Sequence, residues 1–251
     1  MNCFGGQYVG AVRFRGELEK TSYLNALPVV QYLQNHDKLE LSTPVTFFVG
    51  ENGTGKSTLL EAIAVAAGFN AEGGSRNFNF ATQQTHSELY KHIVLSKYGT
   101  PKDGFFLRAE SFYNVATNID EIDREPSFGP KLIDSYGGVS LHHQSHGESF
   151  LSVVLNRFGG NGLYILDEPE AALSPMRLLT LLAAICQLVE RNSQFIISTH
   201  SPILMACPSA QIYQLGENGI EKIAYKQTEH YQFTRRFLED PERILQYLLE
   251  E

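Results

Sequence analysis

The sequence predicts an α/β domain in which a largely parallel sheet is covered by helices, and three observations lead to this fold. Apolar strand-like runs alternate with helix-forming segments along the chain, which is typical of parallel sheets. One such run, Pro44–Val49, stops at a glycine-rich loop that precedes a helix-forming stretch, Lys56–Ala67. Another run, Leu163–Leu166, ends in two carboxylates, Asp167 and Glu168.

The other N-terminal elements can be placed in chain order. Two short strands, Tyr8–Arg15 and Leu39–Ser42, are predicted ahead of the glycine-rich loop and would form an N-terminal antiparallel β part. Strands His92–Tyr98 and Gly104–Glu110 follow the loop, and the Pro and Gly residues between them indicate a turn. A small helical insertion is predicted at about residues 111–150.

The C-terminal half continues the alternation of strands and helices. The elements predicted there are helix Gly147–Arg157, helix Pro175–Arg191, strand Gln194–Ser198, a hairpin of Gln211–Leu215 and Lys222–Lys226 around Glu217-Asn218-Gly219, and a helical tail Thr234–Leu249. No break in composition separates these elements, so we expect one domain over residues 1–251.

Composition narrows the class of protein. Of the 251 residues, 43% are apolar and 19% are charged, which allows a sizeable core and gives no sign of disorder. The net charge of −8 argues against a broad nucleic-acid-binding face, which needs clustered Lys and Arg. The three cysteines form no C-x-x-C pair, and no apolar run is long enough to cross a membrane. We therefore expect a protein of the cytoplasm.

The glycine-rich loop carries the most specific motif of the chain. Gly50-Glu51-Asn52-Gly53-Thr54-Gly55-Lys56-Ser57 matches G-x-x-x-x-G-K-[ST] in full, and we call Gly50–Thr58 the phosphate loop. Its backbone N–H groups would surround phosphate oxygens, Lys56 would reach the β- and γ-phosphates, and Ser57 would ligate Mg²⁺. A chance glycine-rich turn is the alternative, but a strand enters the loop and a helix leaves it. The motif predicts binding of MgATP or MgGTP.

The two carboxylates that follow Leu163–Leu166 suit the same chemistry. Asp167 lies where a phosphate-loop ATPase places the acid that holds Mg²⁺. Glu168, one residue further on, would face the γ-phosphate and polarise the attacking water as general base. An acidic turn or helix cap is the simpler interpretation of such a pair. Downstream of a complete phosphate loop, the catalytic interpretation is favoured.

Further segments follow in an order that resembles the ATP-binding cassette (ABC) ATPases. Ser145-His146-Gly147-Glu148-Ser149, which by itself could be a simple helix cap, resembles the ABC signature. Ala172–Pro175 looks like the D-loop, and His200 follows a strand at the position of the switch histidine. Within the family, Glu168–Pro175, Thr199–Pro202 and Thr228–Tyr231 are similar to small stand-alone bacterial ATPases. The resemblance covers the chain from about Tyr8 to the C-terminus.

This resemblance implies a nucleotide sandwich with ATP as the nucleotide. Two copies would meet face to face on binding ATP, and the signature of one would close over the nucleotide of the other. Ser145 and Gly147, with Glu148 beside them, would then contact the γ-phosphate in trans. Glu168, His200 and Lys56 would form the catalytic set.

The sequence also departs from the family pattern. His146 and Glu148 replace the usual Gly and Gln of the signature. The residue of the Q-loop stays open between Gln83 or Gln84 in an early loop and Glu110 at a strand end. An aromatic residue that stacks on adenine could be Phe14 or Tyr23.

Three kinds of ABC ATPase remain to be compared. A transporter subunit would need a separate membrane protein. A DNA-repair head of the usual kind would carry a long coiled coil between the phosphate loop and the signature, but residues 69–144 contain no heptads. A compact ATPase that drives a separate effector protein, such as a nuclease in repair or phage defence, is favoured here. A slow ATP-gated assembly switch is a further alternative.

Overall fold

The computed structural model describes residues 6–76, 87–108, 112–124, 131–216 and 219–249. The strands within these ranges are β1 (Val9–Phe14), β2 (Leu39–Glu40), β3 (Val45–Gly50), β4 (Ile93–Lys97), β5 (Asp103–Arg108), β6 (Gly162–Asp167), β7 (Gln194–Ser198), β8 (Gln211–Gly216) and β9 (Gly219–Ile223). The α-helices are α1 (Pro28–Asn35), α2 (Lys56–Ala67), α3 (Phe112–Arg124), α4 (His146–Ser152), α5 (Pro175–Glu190), α6 (Pro202–Met205), α7 (Glu229–Glu239) and α8 (Pro241–Leu249).

The described strands form a small and a large sheet. The large sheet has the order β5-β6-β7-β3-β8-β9, and all its pairs are parallel except β8 with β9. The small sheet has the order β2-β1-β4 and is antiparallel. The predicted α/β class, with a mostly parallel sheet and an N-terminal antiparallel part, is confirmed.

The large sheet is apolar on both faces because helices cover both of them. Every residue of β3 is buried. Phe47 packs into a core with residues of α5 such as Leu181, whereas Phe48 packs into a second core with Leu60 of α2. A strand of a helix-covered sheet has no solvent side, so it forms the continuous apolar run that the sequence shows at Pro44–Val49.

Two glutamines attach the small sheet to the amino ends of β7 and β8. The carbonyl oxygen of the fully buried Gln194 side chain accepts hydrogen bonds from the N–H groups of Tyr8 and Val9, both at 2.8 Å. Its amide donates to the Val9 carbonyl at 2.7 Å. Gln211 likewise accepts from the N–H and the hydroxyl of Ser42. In open α/β sheets, ligands bind at the opposite end, outside the carboxyl ends of the strands.

Helix α1 lies in a region for which the sequence analysis proposed no element. Pro28 is its first residue, a position at which the missing N–H of proline costs no helical hydrogen bond. Val29, Val30 and Leu33 form its buried face. Proline followed by this spacing of apolar residues was the available signal.

The two predicted strands after the phosphate loop do not pair with each other. Although β4 and β5 follow one another in the chain, β4 pairs with β1 in the small sheet and β5 pairs with β6 in the large one. The last strand is Gly219–Ile223 rather than Lys222–Lys226, and a 3-10 turn at Tyr225–Gln227 occupies the rest. Glu217 and Asn218 of the predicted hairpin turn lie outside the described residues.

Helical segments occupy the region predicted as an insertion. Helix α3 is followed by 3-10 turns at Leu132–Tyr136 and Leu141–His143 and then by α4. The predicted helix Gly147–Arg157 corresponds to α4 continued by a π-helical turn at Val153–Arg157.

The C-terminal helices α7 and α8 contain no buried residue. Among the described helices, none combines the length and the apolar character that a membrane crossing requires.

Candidate nucleotide-binding site

The phosphate loop connects β3 to α2, and its glycines adopt conformations that other residues avoid. Gly50, Gly53 and Gly55 have φ angles of 137°, 84° and 94°. A β-carbon on Gly50 would lie 2.1 Å from the Leu215 carbonyl oxygen, and one on Gly55 would lie 2.5 Å from Cγ1 of Val29. Both the backbone angles and the close approach of β8 and α1 therefore require glycine here.

The Lys56 ammonium lies against the backbone of its own loop. Its Nζ donates to the carbonyl oxygens of Gly50, at 2.7 Å, and Glu51, at 3.0 Å. Burial lowers the pKa of Lys56, while the charges of Glu168 and Asp167 act in the opposite direction. The ammonium thus has two backbone acceptors that an incoming phosphate would replace.

A cleft of about 160 Å³ opens beside the phosphate loop. Residues of the loop, of the start of α2 and of two other segments line it, namely Leu27, Asn52, Gly53, Gly55, Lys56, Ser57, Thr58 and Glu168. Leu27 immediately precedes α1, and Glu168 immediately follows β6. The cleft therefore brings together the predicted phosphate-binding residues and the predicted general base.

Asp167 occupies the centre of a polar cluster at the carboxyl ends of adjacent strands. In the parallel register it lies between Arg108 of β5 and Ser198 of β7. Its Oδ1 accepts hydrogen bonds from Ser57 at 3.0 Å and from Ser198 at 2.5 Å, and its Oδ2 lies 3.3 Å from Nε of Arg108. Burial raises the pKa of Asp167, and the bond from Ser198 and the charge of Arg108 oppose that rise.

Arg108 extends this cluster to helix α2. Its Nη1 donates to Oε2 of Glu61 at 2.7 Å, and Oε1 of Glu61 accepts the Ser87 N–H at 2.7 Å. The Glu61 side chain is only 8% exposed. A buried carboxylate requires such a partner, so Arg108 compensates Glu61 and Asp167 together.

Glu168 is held in the left-handed region, which is uncommon for a residue with a β-carbon. Its φ and ψ are 50° and 53°, and its N–H donates to the Ser198 carbonyl at 3.1 Å. The side chain lines the cleft, with Oε1 3.5 Å from Nε2 of His200. Such a conformation costs of order 1 kcal/mol or more and persists where neighbours hold it. Here it accompanies a carboxylate that faces the predicted position of the phosphates.

His200 is positioned through the half-buried carboxylate of Glu170. One oxygen of Glu170 accepts the His200 N–H, and the other accepts the Thr199 hydroxyl at 2.8 Å. Burial raises the pKa of Glu170, and these bonds oppose the rise. On its other side, Nδ1 of His200 lies 2.8 Å from Nε2 of His230 on α7.

The signature segment begins α4 and is attached to the D-loop segment and α5. One oxygen of Glu148 accepts the N–H and the hydroxyl of Ser145, at 3.1 and 2.7 Å. Arg177 of α5 donates to the other oxygen at 2.9 Å and to the Ser145 hydroxyl at 3.3 Å. A β-carbon on Gly147 would lie 2.6 Å from the Ala172 carbonyl oxygen. The capping arrangement weighed as an alternative is thus present, and Ser145, Gly147 and Glu148 do not line the described cleft.

The structure describes both candidates for adenine stacking but none of the candidates for the Q-loop residue. Gln83, Gln84 and Glu110 all lie outside the described residues. Phe14 stacks on His92, with ring centroids 6.0 Å apart, whereas Tyr23 is 62% exposed four residues before Leu27. Tyr23 is therefore the more accessible of the two rings for stacking on a base.

Several residues of the site were missed by the sequence analysis. They are Glu61, Arg108, Glu170, Ser198 and His230. Arg108 and Ser198 each end an apolar run, so their position at a strand end was visible. Their proximity to Asp167 was not, because a single sequence does not show which strands are neighbours.

Comparisons with known proteins agree with this geometry. Residues 29–125 match the model of an AAA domain, and residues 134–206 match a model described as "AAA domain, putative AbiEii toxin, Type IV TA system". A nucleotide-free ATP-binding cassette from an ABC transporter is 18% identical, with 94% of this chain and 97% of that chain covered and a TM-score of 0.51. An inward-facing "putative metal-chelate type ABC transporter" is 14% identical, and the match covers 91% of this chain and 88% of that chain with a TM-score of 0.50. No curated protein sequence matches significantly.

The fold, the motif order and these matches lead to one assignment. A mostly parallel sheet carries the phosphate loop at the end of β3 and the acidic pair at the end of β6. The two AAA-domain matches together span both of these features. The chain therefore has the fold of an ABC-type P-loop NTPase, and its two halves match AAA-domain models.

Proposed function

We propose that this chain binds MgATP in the cleft beside the phosphate loop and hydrolyses it with Glu168 as general base. The observation that carries the proposal is the Glu168 carboxylate, which lines the same cleft as Lys56 and Ser57 and lies 3.5 Å from His200. Nucleotide binding alone does not call for a carboxylate held in a strained conformation beside the phosphates. Hydrolysis does, because water must lose a proton as it attacks.

The chain's own groups suit the phosphates of ATP. The N–H groups of the phosphate loop and the start of α2 would surround the oxygens, and Lys56 would leave its carbonyl partners for them. The hydroxyl of Ser57 and the carboxylate of Asp167, 3.0 Å apart, form a pair of hard oxygen donors that fits Mg²⁺. When bound, Mg²⁺ would neutralise charge on the phosphate oxygens.

Hydrolysis would then proceed through Glu168 and His200. Glu168 accepts a proton from water as the water oxygen attacks the terminal phosphorus, and the bond to the β-phosphate oxygen breaks to release ADP. His200, through Nε2, orients Glu168 and the terminal phosphate. Tyr23 is the better placed of the two aromatic residues to stack on adenine.

A second copy of the chain would complete the site. Ser145, Gly147 and Glu148 do not line the chain's own cleft, although the signature in this family contacts the terminal phosphate. Two copies placed face to face on ATP would bring the signature of one over the phosphate loop of the other. The amino-terminal end of α4, which carries the positive end of the helix dipole, would then approach the γ-phosphate.

The process that such an ATPase serves is proposed on the second family match. Its description names a toxin of a toxin–antitoxin system, which agrees with a compact cytoplasmic ATPase that drives or gates an effector protein, such as a nuclease, in defence or repair. The alternative is the nucleotide-binding subunit of a transporter, since both structures compared above come from ABC transporters. Cross-linking of the ATP-bound chain in its native cell, followed by identification of the partner, separates a soluble effector from a membrane permease.

Replacement of Glu168 by Gln is the direct test of the proposed hydrolysis. Glu168→Gln should keep ATP binding and lower turnover by about 10²–10⁴-fold, since the geometry persists while the base is lost. In MgATP, light scattering should then show a stable species of twice the monomer mass. The exposed Glu190→Gln is the matched control and should behave as wild type. Turnover of Glu168→Gln within a few-fold of wild type would show that Glu168 is not the base.

A further inference from the structure

His230 approaches the site from outside the core fold. It lies in the first turn of α7, and its Nε2 is 2.8 Å from Nδ1 of His200, with the two rings 61° apart in plane. Thr228, which is fully buried, caps α7 by accepting the Tyr231 N–H at 3.3 Å and donates its hydroxyl to the Tyr225 carbonyl at 2.8 Å. These bonds hold the backbone at the start of α7, on which His230 lies.

The two nitrogens of His200 face different partners. Nε2 faces the Glu168 carboxylate at 3.5 Å, and Nδ1 faces His230. A carboxylate can only accept, so a favourable contact needs the proton on Nε2 of His200. In that tautomer Nδ1 is an acceptor, and His230 must therefore carry its own proton on Nε2 and donate it.

The second nitrogen of His230 supports the same assignment. Nδ1 of His230 is buried and has no hydrogen-bond partner among the described residues. In the reverse arrangement His200 would donate from Nδ1, and the His230 proton would move to this buried nitrogen. That would bury an unsatisfied N–H and turn the lone pair of His200 Nε2 toward a carboxylate, and both changes are unfavourable.

The groups around His230 agree with a neutral ring. Burial lowers the pKa of His230, and the neighbouring His200 and Lys56 add to this, whereas Glu51 and Glu229 oppose it. A neutral ring has a single N–H to place, so the contact with His200 decides where that proton lies.

We propose that His230 is a positioning residue that fixes His200 as the Nε2–H tautomer, directed at Glu168 and the cleft. This inference rests on the proposed hydrolysis. A fixed tautomer keeps one donor permanently available to Glu168 and to the terminal phosphate. Without His230, His200 would divide between two tautomers, and one of them would present a lone pair to these anions.

Two substitutions at His230 separate the hydrogen bond from the shape of the ring. His230→Phe keeps a ring and loses the donor, so kcat should fall about tenfold while KM for ATP changes less than about twofold. His230→Gln can place an amide N–H at the position of Nε2 and should keep kcat within about threefold of wild type. Phe233→Ala, an exposed change one turn away on α7, is the control and should leave kcat unchanged.

Nitrogen-15 NMR of the histidine rings gives a readout that is independent of turnover. In the nucleotide-free wild type, His200 and His230 should each show a protonated Nε2 and a bare Nδ1. In His230→Phe, His200 should shift toward a mixture of tautomers. This measurement also covers the case in which a variant folds poorly, since the wild type alone reports the assignment.

Two results would overturn the inference. One is a wild-type His200 that carries its proton on Nδ1, and the other is a folded His230→Phe that hydrolyses ATP at the wild-type rate. A wild-type protein without ATPase activity would instead contradict the proposed function, and the NMR assignment would still decide the role of His230.

Discussion

Lys56 shows how a single side chain of the site is prepared for its ligand. It is 4% exposed, and its ammonium is held by the carbonyl oxygens of Gly50 and Glu51. These acceptors satisfy the buried charge but leave it less stabilised than a phosphate would. Binding of an anion beside the Lys56 ammonium is therefore favoured.

Lys56→Met should weaken ATP binding by about 100-fold or more. The reason is that two charge-assisted hydrogen bonds to phosphate, each contributing about 1.5–3 kcal/mol, are lost while the length of the side chain is kept. Titration calorimetry with MgATP measures the change. The control is Lys102→Met, since Lys102 is an exposed lysine just before β5, at the far edge of the sheet. Affinity of Lys56→Met equal to wild type would remove Lys56 from the phosphate site.

At the scale of elements, Asp103 ties the start of β5 to its neighbours. Its carboxylate accepts hydrogen bonds from Arg157 at 2.8 Å, Gly159 at 3.0 Å and the Tyr164 hydroxyl at 2.7 Å. Burial would raise the pKa of Asp103, but these bonds outweigh it and lower the pKa from its ordinary 3.8. The bonds hold the end of the π-helical turn against the edge of the large sheet.

Asp103→Asn should lower the free energy of unfolding by about 2 kcal/mol at pH 7, as expected for hydrogen bonds to a charged group. Because the pKa is depressed in the folded state, the contribution is complete above the unfolded value and is lost as pH falls through the folded one. The deficit of the variant should therefore shrink below about pH 4. Urea unfolding between pH 7 and pH 3 measures it, with the exposed Asp37→Asn as control. A deficit that stays constant with pH would point to packing rather than charge.

The signature segment calls for a substitution that spares the packing of α4. Gly147 is unsuitable, since any β-carbon there meets the Ala172 carbonyl oxygen. Ser145 is exposed and caps α4, and Asp and Asn are both good caps at such a position. Arg177, which contacts both Ser145 and Glu148, would reduce the repulsion between an added carboxylate at position 145 and the neighbouring Glu148.

Ser145→Asp should abolish most ATP turnover while ATP affinity of the monomer stays within about twofold of wild type. The added carboxylate would face the γ-phosphate bound by the second copy, where like charges repel. The asparagine of Ser145→Asn has nearly the same shape as aspartate but no charge, so this variant should retain most of the turnover. Steady-state ATPase assays compare the two, with thermal unfolding to verify the fold. Normal turnover of Ser145→Asp would exclude a role for the signature in trans.

At the scale of the whole molecule, the proposed site is divided between two copies of the chain. Each copy would supply one phosphate loop and one signature, so two different lesions can complement each other. Lys56→Met disables the loop and Ser145→Asp disables the signature. A mixed dimer then contains one intact composite site and one site with both lesions.

An equal mixture of Lys56→Met and Ser145→Asp should recover about a quarter of wild-type turnover. Each variant alone should be inactive, random pairing makes about half of the dimers mixed, and each mixed dimer has one intact site of two. Recovery would be lower if closure needs two nucleotides. Differently tagged chains, purified through both tags, verify that mixed dimers form. A mixture that contains mixed dimers and stays inactive would mean strictly coupled sites or no composite site.

The sequence by itself determined the class of fold and the local parts of the site. The phosphate loop and the pair Asp167-Glu168 are contiguous segments, and each follows an apolar run that forms a buried strand. Their chemistry depends on residues a few positions apart, so the spacing along the chain contains the information. The same holds for the glycines at positions 50 and 55, whose need for unusual angles belongs to the loop itself.

Only the tertiary structure decided which distant residues share the site. Arg108 and Ser198 contact Asp167 because β5 and β7 are the neighbours of β6, and strand order is not encoded in local periodicity. His230 reaches His200 across 30 residues because the cap of α7 sets the direction of that helix. Each of these contacts depends on how whole helices and strands pack against one another. They can therefore be recognised only in the folded chain and not from the sequence.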